Sequence, residues 1–120
     1  MPPRNPRSLG WAQGAGAASV VRMYTLHIEH PITDFDVWRA AFARFAPLRL
    51  AAGVRAHAVR RPVDDPRYVS VDLEFDTAAR AEAFLQTLRS RVWASPADSP
   101  ALAGDPITRI LVTEDASVTA

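Results

Sequence analysis

Arg67-Tyr68-Val69-Ser70-Val71-Asp72-Leu73-Glu74-Phe75 sets Val69, Val71, Leu73 and Phe75 at every second position, with Tyr68, Ser70, Asp72 and Glu74 between them. Successive side chains of a strand point to opposite faces, so this run predicts a strand with one face in a core and the other polar. A sheet that is apolar on one side needs a layer to cover that side, and helical patterning on both flanks of this strand supplies it.

Downstream, Asp76 can cap a helix in which Ala81, Phe84, Leu85, Leu88 and Val92 form one apolar stripe ending near Trp93 or Ala94. Ser95 to Asp105, with two prolines and a glycine, reads as a loop with room for one helical turn at Pro100 to Ala103. Ile107 to Thr113 alternates again as a final strand.

Upstream, Pro62-Val63-Asp64-Asp65-Pro66 has the residues of a hairpin turn, and before it Val54, Ala56 and Ala58 alternate with Arg55 and His57 over Val54 to Arg61. Gly53 suits a helix C-cap. Phe35, Trp38, Phe42 and Phe45 recur at helical spacing behind Thr33 and Asp34, whose oxygens can cap the helix, and Asp36 favours its first turn. Pro47 lacks an N–H, so that helix is expected to kink or restart before a short further turn at Leu48 to Ala52. Met23 to Glu29 alternates Tyr24, Leu26 and Ile28 against Thr25, His27 and Glu29, the first strand.

The order is βαββαβ. Right-handed crossovers put both helices on one face of a four-stranded antiparallel sheet ordered 4-1-3-2, a ferredoxin-like α+β domain over residues 23–114. If Ala56 and Ala58 join Leu26, Ile28, Val69, Val71 and Leu73 against the helices, the opposite face presents Thr25, His27, Glu29, Arg55, His57, Ser70, Asp72 and Glu74. The last strand adds Arg109 or Thr108 to that face, according to its register.

At 120 residues the chain has room for one core. Residues 1–22 hold three arginines, three prolines and no acid, without helical or strand periodicity, and are expected to form a disordered arm whose removal costs little stability. That arm lacks the continuous apolar core of about 7–15 residues of a secretory signal, and residues 115–120 are expected to fray. A cytoplasmic location follows as the expectation. No apolar stretch reaches the roughly 18 residues of a membrane span.

The absence of cysteine excludes a disulfide framework, a thiolate metal site and a cysteine nucleophile. The basic residues are fourteen arginines with no lysine. Three of them fall in the arm, so the thirteen acids outnumber those that remain, and nucleic-acid binding is not expected. Neither a Walker loop nor Gly-x-Gly-x-x-Gly is present, Ser70 has no nucleophile elbow, and the histidines have no metal-binding spacing. No cofactor and no metal are expected.

His30-Pro31-Ile32-Thr33-Asp34-Phe35-Asp36-Val37-Trp38, Arg61-Pro62-Val63-Asp64-Asp65-Pro66, Glu74-Phe75-Asp76 and Ala81-Glu82-Ala83-Phe84 together carry a likeness over Met23 to Glu114. The chain resembles the small bacterial members of the dimeric α+β barrel superfamily, which includes antibiotic-biosynthesis-monooxygenase-like and polyketide-cyclase-like proteins. The resemblance implies a homodimer made by two sheets meeting face to face, and, in enzymatic relatives, a pocket between sheet and helices. It carries over no catalytic set, because such relatives use varied residues.

Candidates for chemistry therefore come from the residues themselves. His27, His57 and Asp72 are expected on one face of neighbouring strands, as a base with its orienting acid or as a polar network of the dimer interface. His30, at the exit of the first strand, is the first choice for mutation, with reach to a pocket rim or to a local carbonyl. Trp38 and Phe42 line either the core or an apolar ligand pocket. Two functions remain open: a small homodimeric enzyme, a cofactor-independent monooxygenase or cyclase of a small apolar or aromatic substrate, or a non-catalytic module that binds a small ligand or a partner protein. Haem degradation would require an iron-ligating histidine and a haem-sized cavity.

Overall fold

A computed structural model describes residues 22–118. The expected arm, apart from Arg22, and Thr119 and Ala120 of the expected tail lie outside the described residues. The elements are β1 (Tyr24–Pro31), α1 (Phe35–Arg44), α2 (Ala46–Ala52), β2 (Ala56–Arg60), β3 (Tyr68–Phe75), α3 (Ala78–Thr87) and β4 (Ile107–Val112). A π-helical turn, Leu88–Val92, prolongs α3. The four strands form one antiparallel sheet in the order β2-β3-β1-β4, the ferredoxin-like order expected, read from the other edge.

Register settles the two faces. Leu26 stands opposite Leu73 and Ile110, whereas His27 stands opposite Asp72 and Arg109. The face bearing Leu26, Ile28, Val69, Val71, Leu73 and Phe75 is buried against Ala81, Phe84 and Leu85 of α3. Leu26 and Phe75 are completely enclosed, and truncating such a leucine to alanine costs about 2–5 kcal/mol. Of the two options for β4, Arg109 joins the polar face, flanked by Ile107 and Leu111, and Thr108 turns toward the helices, where it accepts from Arg89 Nη2.

Local chemistry sets the helix ends. The Asp34 carboxylate caps α1, accepting from Val37 N at 2.9 Å. The break at Pro47 falls where expected: α1 stops at Arg44, α2 carries Pro47 in its first turn, and Gly53 closes α2 at φ 91°, a left-handed conformation that favours glycine.

Three expectations require correction. The cap of α3 is Thr77, whose Oγ1 accepts from Arg80 N at 3.2 Å, while Asp76 is drawn away to Arg55 at 2.6 Å. The helical turn expected at Pro100 to Ala103 forms earlier, where Ser95 O accepts from Asp98 N and Ser99 N; Leu102 N closes a tighter turn on Ser99 O, and Ala103 N bonds Pro31 O, which ties the loop to the end of β1.

The third correction is β2. His57 lies opposite Leu73 and Val59 opposite Val71, so both turn toward the helices, and Ala56 and Ala58 occupy the polar face. Counting from Val54 puts the alternation out by one, because Val54 and Val59 both pack on the core although they are an odd number of residues apart. Val54 belongs to the Gly53 turn, its N–H bonded to Arg49 O, and the extended pairing begins after it.

Candidate functional site

α3 lies close on β1, β3 and β4, whereas α1 stands off from the sheet across a cavity of about 80 Å³. Its walls are apolar for the most part, with Ile28, Val71 and Leu73 from the sheet, Trp38, Phe42 and Phe45 from α1 and its end, and Trp93 and Ala101 beyond α3. The polar groups among them are few: His30, Arg49, Asp98 and Ser99. A cavity of this size is well below the roughly 300–1,000 Å³ of pockets for larger ligands, so a ligand held there is small. It does not fit a haem.

His30 reaches the cavity because it shares the inward face of β1 with Leu26 and Ile28. Only 3% of it is exposed. Its Nδ1 lies 2.9 Å from Pro31 O, and since a carbonyl only accepts, Nδ1 carries the proton. Burial holds the imidazole pKa below its usual value, with the Pro31 bond opposing in part. The outcome at neutral pH is an uncharged imidazole whose Nε2 keeps a lone pair, which is what a general base requires.

Trp38 and Phe42 belong to a stack along α1. Phe35 and Trp38 are 5.9 Å apart, Trp38 and Phe42 5.0 Å, at interplanar angles of 22° and 18°. Guanidinium groups close both ends: Arg61 sits 4.0 Å above the Phe35 ring and Arg49 3.6 Å above that of Phe42. His30 lies 6.4 Å from Trp38. Trp38 and Phe42, both half-buried, line the cavity on one side, and Phe35 lies outside its wall.

Arg49 is the lining residue that sequence reasoning missed. It recurs with Phe42 and Phe45 at helical spacing, so a charge standing on an apolar stripe was the available signal. α2 carries it inward until 8% is exposed, and Nη1 donates to Phe42 O at 2.6 Å.

His27 and Asp72 come together on the other side of the sheet. His27 Nδ1 lies 2.6 Å from Asp72 Oδ1 and Nε2 2.8 Å from Glu29 Oε2. Both partners are acceptors, so both ring nitrogens carry protons and the group is an imidazolium. Asp72 Oδ2 also takes Arg60, and Glu29 Oε1 takes the Tyr68 hydroxyl at 2.7 Å. The bond to Glu29 foremost, and then Asp72, raises the His27 pKa against the opposing effect of burial. Glu29 is held down by His27 and Tyr68, and Tyr68 is pushed up by Glu29. A charge-satisfied network of this kind has no free base to offer.

His57 does not join them. With β2 in its observed register the ring meets the edge of Phe42 at 5.3 Å, on the helix side. The expected trio of His27, His57 and Asp72 is therefore a pair, and the sheet separates that pair from His30. Among the described residues no group of three or more His, Asp or Glu side chains is placed to hold a metal ion, and no helix is long and apolar enough to cross a membrane.

Neither a family model nor a curated protein matches the sequence. Solved structures do match the fold. A candidate antibiotic biosynthesis monooxygenase from Bordetella bronchiseptica is 17% identical at a TM-score of 0.63, over 81% of this chain and 98% of that one. A dimeric ferredoxin-like protein from an uncultured marine organism is 14% identical at 0.59, over 80% and 98%. A point mutant of SnoaB, a cofactor-independent oxygenase from Streptomyces nogalater, is 12% identical at 0.57, over 80% and 96%. The chain thus has the ferredoxin-like fold of these proteins, the fold that the sequence resemblance implied, and likeness at this level of identity is a likeness of fold.

Proposed function

We propose that the protein is a homodimeric, cofactor-independent monooxygenase of a small aromatic substrate, with His30 as its base. The observation that carries the reading is the buried, neutral His30, its Nδ1–H engaged by Pro31 O, at the wall of a small aromatic cavity. Enzymes of this kind draw their electrons from the substrate. A phenol gives up its proton to Nε2, the phenolate carbon adds O2, and the resulting hydroperoxide loses water to leave a quinone: phenol plus O2 gives quinone plus water. A cyclase-like reaction would use the same proton abstraction without O2.

The dimer is supported by the open sheet face, where Ile107 and Leu111, 57% and 45% exposed, flank the His27 network. Similarity to a protein described as dimeric agrees with it. A second reading, a module that only binds a small ligand, draws on the scarcity of polar groups in the cavity lining.

The test is O2 uptake with a panel of single-ring phenols and hydroquinones, with product mass recorded. The expected product has two hydrogens replaced by one oxygen, and His30→Gln lowers the rate by about 10²-fold or more. Ligand binding without O2 uptake across the panel would select the binding module instead.

A further inference from the structure

We infer that the cavity binds a ring bearing a carboxylate, with the guanidinium of Arg49 as its anion partner. The inference takes the cavity as the ligand site, as above, but does not depend on oxidation occurring there.

Arg49 is a buried cation whose bonding is incomplete. A guanidinium has five N–H donors, and among the described residues its one hydrogen bond runs from Nη1 to Phe42 O. No carboxylate oxygen of the described residues lies within 4.0 Å of it. Asp98 is the one acid in the cavity lining and is not paired with it. Its remaining support is the face of Phe42, 3.6 Å below the guanidinium carbon.

Burial of an unpaired charge is costly, and an arginine cannot relieve that cost by losing its proton. A cation kept in this state by its own fold has donors in reserve for an anion, and arginine's planar fork matches a carboxylate in bidentate geometry. The surroundings specify the rest of the ligand. Trp38, Phe45 and Trp93 line the same space, which favours an aromatic ligand, and about 80 Å³ restricts it to a small one. An aromatic monocarboxylate satisfies both halves of the site. Inorganic anions would satisfy only the guanidinium, and neutral arenes only the walls.

The probe is benzoate, with benzamide as its neutral isostere and phenol as a neutral ring, titrated calorimetrically into the 120-residue chain. Benzoate is expected to bind roughly tenfold or more tightly than benzamide, the discrimination of a charge-assisted hydrogen bond. Arg49→Gln abolishes the preference while phenol still binds, and Arg49→Lys, which keeps the charge but not the fork, retains part of it. Circular dichroism of both variants confirms that they fold, and if Arg49→Gln does not, Arg49→Lys against benzoate and benzamide decides alone. His27→Gln, on the opposite face of the sheet, should leave benzoate affinity within about twofold of the parent.

Equal affinity for benzoate and benzamide, no saturable benzoate binding, or a preference that survives Arg49→Gln would each overturn the inference. Any of these would leave the oxygenase reading standing, since O2 uptake tests it with neutral phenols. Conversely, benzoate selectivity without O2 uptake would retain the anion site in a protein that only binds.

Discussion

Asp72 Oδ1 stands 2.6 Å from His27 Nδ1 across a direct pair of β1 and β3, on the face of the sheet turned away from the helices. Glu29 completes the clamp from the other ring nitrogen, and the arrangement makes His27 a structural cation. Its consequences for pH are opposite in sign to those of His30 on the inner face.

The His27 pKa is raised, so its contribution to stability is fully present below the unfolded value of 6.5 and is lost as pH rises through the higher folded value. Glu29 is lowered, so its share is present above 4.5 and lost as pH falls through the lower folded value. His30 is lowered, and its contribution is present above 6.5 and lost as pH falls toward its folded value. In NMR titrations His27 should therefore give a midpoint above 6.5 and His30 one below. In thermal unfolding, His27→Gln should remove the alkaline decline relative to the parent; an unchanged decline would show that the network is not its source.

Thr77 and Asp76 separate two roles at the start of α3. Thr77→Ala loses the cap and should lower the unfolding free energy by about 1 kcal/mol. Asp76→Ala removes an ion pair in which both side chains are largely exposed, and should cost about 0–1 kcal/mol. Urea denaturation of the two variants decides between the caps, and the reverse ranking would restore Asp76 to that role.

Ala41 is buried on the inward face of α1 and lines the cavity. Ala41→Leu should fill the cavity and abolish ligand binding, while the unfolding free energy holds or rises by about 1 kcal/mol as new methylenes are buried. A fall of about 3 kcal/mol instead would mean that the space is already closed.

Ile107 and Leu111 stand on the open face beside Thr25, Glu29 and Arg109. If two sheets pair there, replacing both with aspartate should convert a dimer to a monomer in sedimentation velocity, with the far-ultraviolet circular dichroism of the parent retained. A monomeric parent would remove the dimer from the proposed function and leave the cavity chemistry unaffected.

Most of the fold was legible because strongly patterned segments have one solution. Val69 to Phe75 can bury only one set of side chains, Tyr24 to Ile28 likewise, and Pro47 and Gly53 act through their own covalent geometry. His30 was legible as a candidate from its place at the end of a strand, and Trp38 and Phe42 from their spacing, although core and pocket lining share the same helical stripe.

The remainder depended on contacts between segments distant in sequence. β2 is mostly small or polar, so hydrophobic contrast along it is too weak to select a register, and the Gly53 turn and the Val59–Val71 pairing chose the one that takes His57 away from Asp72. The partners of His27, the lack of an acid beside Arg49 among the described residues and the proton on His30 Nδ1 were likewise tertiary outcomes. Local sequence governs which way a chain alternates or coils, whereas protonation and charge compensation are set by whatever the fold brings within a few ångströms.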